Sequence, residues 1–148
     1  MPTKGWKGRQ VDFKTAFLNG HLDKPVYMAQ PLGFVDPVHP DWVCEVQRSI
    51  YGLKQSPRQW HRKLDSELIC LGLQKSGYNP FLYFCLENGS LFGALAAHVD
   101  DLEIVNQPLF VDSLISSLGK IFKVGADINL HLFISIEMTR NLHQNRIS

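Results

Sequence analysis

The chain has 148 residues, of which 45% are hydrophobic and 20% charged, and its formal net charge is +1. This balance is typical of a single domain that folds around a core, and it excludes wholesale disorder. The longest apolar run, residues 91–97, is far shorter than the roughly 20 residues of a membrane-spanning helix. The basic start of the chain lacks the apolar segment of a secretory signal, so the sequence predicts an intracellular protein.

Charged and sulfur-containing residues give weaker indications. Residues 1–75 hold 11 Lys or Arg against 7 Asp or Glu, whereas residues 76–148 hold 4 against 7. A basic half beside an acidic half suits a polyanion and a metal, although the imbalance is small. Cys44, Cys70 and Cys85 are too few and too widely spaced for a metal knuckle, and an odd count argues against a disulfide framework. We expect them to be reduced, buried thiols.

The first half of the chain alternates short elements with loops. Residues 10–13 alternate polar and apolar side chains, which predicts a strand that ends near Asp12, and residues 15–20 predict a helical turn. A loop is predicted over residues 29–41 and a strand over residues 42–46. A helix is predicted from Pro57 to a terminating Gly72, with apolar residues at helical spacing: Trp60, Leu64, Leu68 and Leu71.

The second half predicts hairpins and a second helix. Apolar runs over residues 82–86 and 91–99 flank Asn88-Gly89, a hairpin signal, and a further strand is predicted over residues 102–105. Pro108 opens a helix whose apolar face is Phe110, Leu114 and Leu118, and two weak strands are expected after Asp127. The order predicts a mixed α+β fold, with antiparallel hairpins and helices packed on one face of the sheet.

Asp100 and Asp101 lie between two predicted strands, at what the sequence predicts to be a tight turn. A hairpin tip can present both carboxylates beside Asp12, which ends an earlier strand. Three such groups can hold two Mg²⁺ ions, and two metals about 4 Å apart are the arrangement that polymerases use for phosphoryl displacement. An Asp-Asp pair is also ordinary turn chemistry, and spacing alone leaves both interpretations open.

Several motifs in the same order carry a family resemblance. Residues 10–20, QVDFKTAFLNG, closely resemble the first acidic motif of the copia-type retrotransposon reverse transcriptases, Q-x-D-V-K-T-A-F-L-N-G. Four further motifs are similar to that family: VYM, QP and GF within residues 26–34, SIYGLKQSPRQW at 49–60, NP and LY within 79–83, and VDD at 99–101. Five ordered matches make chance implausible. We therefore expect a palm-type sheet, with a reverse transcriptase palm region over residues 9–140 and an unassigned segment over residues 1–8.

The resemblance implies a set of site residues. Asp12 and Asp100 would bind both metal ions, Mg²⁺ or Mn²⁺, and Asp101 would be a third, less central carboxylate. Phe17 would pack against the sugar of the incoming nucleotide and exclude a 2′-hydroxyl, and Gln55 would lie under that nucleotide. The alternatives are turn or cap roles for the acids, plain core packing for Phe17 and a backbone-bonded loop amide for Gln55.

Other positions on the first helix have competing interpretations. Arg58, Arg62 and Lys63 would face template or primer phosphates, or form a solvated helix face. Trp60 begins the apolar stripe and is expected in the core. The implied partners are an RNA or DNA template with its primer, and deoxynucleoside triphosphates; the implied compartment is the cytoplasm, in a virus-like particle, or the nucleus.

The sequence also departs from the family pattern. His98 replaces the usual Tyr before the acidic pair, Asn79 and Phe81 replace Asp and Ser, residues 126–128 stand in place of D-L-G, and Ser135 replaces a Gly. Residues 1–8 do not resemble the segment that supplies most of the fingers, and no thumb or ribonuclease H region is recognised.

These features lead to competing functional hypotheses. The first is an RNA-directed DNA polymerase domain that is incomplete and inactive by itself. The second is a degenerate or co-opted remnant that acts at most as a nucleic-acid-binding module. For the isolated chain we prefer the remnant, because positioning supplies most of the acceleration in phosphoryl transfer. A metal nuclease that uses the same carboxylates is a third, weaker possibility.

Overall fold

The structure is a computed structural model that describes residues 7–129, 132–133, 136–137, 140–141 and 146–147. The helices are α1 (Ser56–Cys70) and α2 (Pro108–Gly119), and Ala16–Asn19 forms a short 3-10 helix. The longer strands are β1 (Lys7–Phe13), β2 (Tyr27–Ala29), β3 (Val43–Glu45), β4 (Gln74–Lys75), β5 (Leu82–Glu87), β6 (Ser90–His98), β7 (Asp101–Asn106) and β8 (Val124–Asn129). Four two-residue strands follow: β9 (Leu132–Phe133), β10 (Ile136–Glu137), β11 (Arg140–Asn141) and β12 (Arg146–Ile147).

The chain forms two compact units, and one of them contains the main sheet. Thr15–Asp65 is one unit, and the described residues before and after it form the other. The latter unit holds a six-stranded sheet in the order β4-β5-β6-β7-β1-β8, in which every pairing is antiparallel. The α+β class with an antiparallel sheet is therefore confirmed, whereas the palm-type identity of the sheet stays a prediction.

The predicted hairpin at Asn88-Gly89 is confirmed. Both residues have positive φ, 50° and 76°, and they join β5 to β6 directly. This is the backbone of a type I′ turn, whose twist matches that of the flanking strands. Gly adopts the conformation without strain and Asn tolerates it better than most residues, which is why the dipeptide is a strong signal.

One face of the sheet is the core of its unit. Alternate strand residues on this face are buried: Val11, Phe13, Tyr83, Cys85, Leu95, Ala97, Leu102 and Ile104. Helix α2 lies against β7 and β1 and buries Val111, Leu114 and Leu118, and Phe122 meets Phe13 edge to face with ring centroids 5.5 Å apart. The sequence predicted Phe110 on the buried stripe; it is instead half-buried against Phe92, because the stripe begins at Val111.

The predicted first helix is confirmed as α1. It begins one residue before Pro57, it buries Trp60, Leu64 and Leu68, and Gly72 has the left-handed φ of 89° that is typical of a residue just past a helix end. Leu71 lies outside the helix and is half-buried, while Leu73 is buried in its place.

The unit Thr15–Asp65 also contains the β2–β3 ribbon and the predicted loop. Strand β2 pairs with β3, and it was not predicted, because three residues give too short a pattern. The loop between the strands is tied by the Gln30 side chain, whose amide donates to the carbonyls of His39 at 2.9 Å and Trp42 at 3.0 Å and accepts from Asp36 N at 2.7 Å.

Other expectations are corrected. Only Cys85 is buried; Cys44, on a ribbon exposed on both faces, and Cys70, at the end of α1, are exposed, and all three are free. Strand β8 includes Asp127, where only weak strands after that residue were expected. The changes around Ser135 lie outside the described residues, as do residues 1–6, whereas Lys7 and Gly8 open β1. Within the described part of the chain, no helix is long and apolar enough to cross a membrane.

Candidate catalytic site

Asp12 and Asp101 are the centre of the candidate site. Asp12 is the next-to-last residue of β1, as predicted, and Asp101 is the first residue of β7; the two are directly opposite each other in the β1–β7 ladder. Residues opposite each other across antiparallel strands project from the same face, with Cβ atoms about 4.5–5.5 Å apart. Both side chains are half-buried. The register therefore places the two side chains on the same face at one end of the sheet.

Asp100 is held beside this pair by a backbone contact. Its carbonyl accepts a hydrogen bond of 2.8 Å from the backbone N–H of Phe13, the last residue of β1. The β6–β7 turn is thereby fastened to the end of the neighbouring strand. The three aspartates that were predicted from sequence thus belong to one end of one sheet.

The turn itself differs in detail from the prediction. His98 is paired with Asp101, so the two residues between them are Val99 and Asp100, and Asp101 already belongs to a strand. The sequence placed Asp100 and Asp101 together in the turn. The correction arises because Val99 takes a turn position with φ of 54°, a conformation that is a genuine outlier for a β-branched residue. Backbone strain of this kind is concentrated at functional sites.

Glu103 is a further acidic residue on the face that carries Asp12 and Asp101, two residues along the strands from that pair. Glu103 is opposite Gln10 in β1 and Ala96 in β6, and it is only 5% exposed. Its Oε2 atom has no hydrogen-bond partner among the described residues, because the Gln10 amide points to Asp101 Oδ1, at 3.4 Å. Burial raises the pKa of Glu103, and the negative charge of Asp101 raises it further, against a smaller opposing effect of His98.

Sequence reasoning missed Glu103, although a signal was present. Residues 101–105 read DLEIV, so an acid interrupts an apolar strand two residues after Asp101. Because side chains alternate along a strand, residues two apart share a face. The two-residue alternation of side chains along a strand was therefore enough to place Glu103 on the same face as Asp101.

The donor set fits a hard divalent cation. In the part of the chain that the structure describes, no group of three or more His, Cys, Asp or Glu side chains is arranged to hold a metal ion. Mg²⁺, however, is typically held by one or two carboxylates, with water and substrate phosphates completing its shell. Asp12 and Asp101 supply such a pair of oxygen ligands on one face, with Asp100 adjacent. Mn²⁺ suits the same ligands.

Phe17 and Gln55 belong to the other unit, Thr15–Asp65. Phe17 is 7% exposed and packs against Tyr51 with ring centroids 4.4 Å apart, which is the packing of an ordinary core aromatic. Gln55 is half-buried just before α1, and its carbonyl accepts from the N–H of Gln59 at 3.0 Å. Contacts of either side chain with a nucleotide stay predictions.

The basic residues of α1 differ in their surroundings. Arg58 is exposed, Lys63 is half-buried, and Arg62 Nη1 is 3.2 Å from an Asp23 carboxylate oxygen. Trp60 is 1% exposed, so its predicted core position is confirmed. A role of the three basic side chains toward phosphates stays a prediction.

Comparisons with known proteins agree with the motif resemblance. Residues 2–148 match the family model described as reverse transcriptase (RNA-dependent DNA polymerase). The retrovirus-related Pol polyprotein from transposon RE1 of Arabidopsis thaliana is 37% identical over 138 residues, which is 93% of this chain and 9% of that polyprotein. The Pol polyprotein from transposon TNT 1-94 of Nicotiana tabacum is 42% identical over 98 residues, 66% of this chain and 7% of that protein.

A yeast protein gives a similar match. The putative transposon Ty5-1 protein of Saccharomyces cerevisiae is 32% identical over 137 residues, which is 91% of this chain and 42% of that protein. The chain therefore spans less than half the length of each of these relatives. Because a family model covers nearly all of the chain, and its relatives are transposon polyproteins, the resemblance to copia-type enzymes is confirmed: the chain belongs to the reverse transcriptase family of retrotransposon Pol polyproteins.

Proposed function

We propose that Asp12, Asp100 and Asp101 form the metal-binding centre of an RNA-directed DNA polymerase that adds deoxynucleotides to a primer 3′-hydroxyl. The observation that carries the proposal is the register of β1 and β7, which sets Asp12 opposite Asp101 within a chain of reverse transcriptase descent. The family as a whole uses divalent metal ions, a nucleic acid template and nucleotide substrates. The palm-type sheet over residues 9–140 is part of the same proposal.

Each residue of the centre has a separate task in this proposal. Two bound metal ions would activate the attacking hydroxyl and stabilise the leaving oxygen. Asp12 and Asp101 provide the facing carboxylates, and the Asp100 carbonyl, bonded to Phe13 N, keeps the turn against β1. The family resemblance further implies that Phe17 would exclude a sugar with a 2′-hydroxyl and that Gln55 would lie under the incoming nucleotide.

The 148-residue chain by itself is proposed not to extend a primer. Polymerisation requires the triphosphate to be held in line with the primer hydroxyl, and positioning supplies most of the rate enhancement. The affinity of a protein for a duplex depends on many contacts between basic side chains and phosphates, and a chain with a net charge of +1 can make few of them. A module that binds nucleic acid without catalysis is the second candidate, favoured by the lack of a three-ligand cluster among the described residues.

Metal binding is the first test of the proposal. Titration of the purified chain with Mn²⁺, followed by electron paramagnetic resonance, should show weak saturable binding, because substrate phosphates normally complete the shell. Asp12→Asn and Asp101→Asn should abolish it. Asp41→Asn is the matched control, since Asp41 is an exposed acid of the other unit. Tight binding that Asp12→Asn leaves unchanged would refute the metal centre.

Primer extension on an RNA template is the second test. With Mg²⁺ or Mn²⁺ the unmodified chain should give no product above that of an Asp100→Ala variant. Template-directed product that Asp100→Ala abolishes would overturn the proposed inactivity and establish polymerase activity in the isolated chain. Product from both proteins would show that the activity does not depend on Asp100.

A further inference from the structure

Strand β8 has an irregularity that faces Asp12. In the β1–β8 ladder Val11 pairs with Asp127, whereas Phe13 pairs with Val124. One residue of β1, Asp12, therefore faces two residues of β8, Gly125 and Ala126. This count is that of a β-bulge, and bulges occur preferentially at sheet edges and beside active sites, where they re-aim a side chain. Strand β8 is an edge strand of the sheet.

Gly125 is the position in this bulge that leaves room for a neighbour. A Cβ atom built on Gly125 would overlap Oδ2 of Asp12, and it would lie 3.3 Å from Asp12 Cγ and 3.0 Å from Lys14 Cγ. The Asp12 carboxylate therefore occupies the space that any other residue at position 125 would fill with its own side chain.

The backbone does not explain the glycine. Gly125 is not among the glycines with positive φ, which are Gly33, Gly52, Gly72 and Gly89. Alanine could adopt the same backbone conformation. Glycine is therefore required at this position because a Cβ atom would not fit beside Asp12. Because the overlapping atom is the end of a short side chain, the substitution would be accommodated by turning the Asp12 carboxylate and would leave the strand in place.

We propose that Gly125 is a positioning residue for Asp12: the gap above its Cα lets the carboxylate lean over β8, on the side of β1 away from Asp101. Two like charges directly opposite each other destabilise a strand pair. Space on the β8 side allows Asp12 to stay on the shared face while its charge is set away from that of Asp101. The consequence for metal binding rests on the function proposed above, whereas the placement of the carboxylate does not.

The first measurement is made without metal. The ¹³C resonance of the Asp12 carboxyl carbon, assigned by comparison with Asp12→Asn, should shift in Gly125→Ala and stay in place in Gly77→Ala. Gly77 is the matched control because a Cβ atom there meets nothing within 4 Å and its φ is ordinary. An unshifted resonance in Gly125→Ala would overturn the inference.

The second measurement uses the Mn²⁺ titration. Changes to residues that orient metal ligands typically weaken affinity by 10–100-fold, so we expect Gly125→Ala to weaken Mn²⁺ binding roughly tenfold and Gly77→Ala to leave it unchanged. Unchanged or stronger binding in Gly125→Ala would contradict the inference.

The two measurements separate two kinds of failure. If the unmodified chain binds no Mn²⁺, the proposed metal centre fails, and the metal-free resonance alone decides the role of Gly125. If Gly125→Ala lowers the melting temperature too far for study, Asp12→Ala in the same chain should restore it, since removal of the carboxylate removes the overlap. No restoration would show that the glycine serves another contact.

Discussion

Replacement of Glu103 by glutamine should stabilise the protein at neutral pH. The side chain is 5% exposed, its Oε2 lacks a partner among the described residues, and burial together with the charge of Asp101 raises its pKa above the ordinary value of 4.5. A buried charge without a partner costs more than a neutral polar group of the same shape, and a tenfold change in a protonation equilibrium corresponds to about 1.4 kcal/mol. Because Gln keeps the shape and removes the charge, we expect Glu103→Gln to raise the free energy of unfolding at pH 7 by about 1 kcal/mol or more.

The pH dependence has a defined sign. Between the ordinary and the raised pKa, the folded protein holds a proton that the unfolded chain has released, so stability falls as pH rises through that window. Below pH 4.5, where Glu103 is protonated in both states, the variant and the parent should converge. Above the raised pKa the difference should be constant.

Urea unfolding of the metal-free protein, followed by tryptophan fluorescence from pH 4 to pH 8, measures this difference. Glu87→Gln is the matched control, because Glu87 is an exposed strand residue and its replacement should change stability little at any pH. A Glu103→Gln variant that is less stable than the parent at pH 7 would refute the reasoning. So would a difference that does not change with pH.

Three further substitutions have expected effects on unfolding in urea. Arg9→Ala should lower stability by about 1 kcal/mol, because the guanidinium, 24% exposed, pairs with two aspartates, one at 2.9 Å; an unchanged midpoint would contradict this. Gly89→Ala should cost about 1–2 kcal/mol because φ is 76°, whereas Gly77→Ala should not. Gly20→Ala should lower the free energy of unfolding by about 1–3 kcal/mol, since a Cβ atom there overlaps Ser49 Oγ. A variant as stable as the parent would show that the surrounding loop moves aside at no cost.

The elements predicted from sequence were those with a long or chemically specific pattern. Helix α1 shows apolar spacing over four turns and a terminal Gly72, and the hairpin carries Asn88-Gly89, whose backbone demand few residues meet. The end of β1 near Asp12 followed from simple alternation. Each of these signals is local, so one sequence was enough to read it.

The features that sequence missed depend on partners elsewhere in the chain. Strand β8 has a weak pattern, VGADIN, and it is a strand because it pairs with β1, more than 100 residues away in sequence. Its Asp127 pairs with Arg9, again a distant partner. The space that Gly125 provides for Asp12 depends on the same pairing. The three candidate aspartates were found through the family motifs, because turn acids alone are too common to indicate a site.

The packing of the core explains why two like charges face each other. In the β1–β7 ladder Val11 is opposite Leu102, and both are fully buried. A slip of one residue would turn both side chains, and their buried neighbours, to the opposite face, and burial of each is worth about 1.5–3 kcal/mol. A like-charged pair across strands costs only about 0.2–1 kcal/mol, so core burial sets the register and holds Asp12 opposite Asp101. A bound divalent cation would relieve the repulsion that remains, so apolar pairs on one face can maintain the proposed cation site on the other.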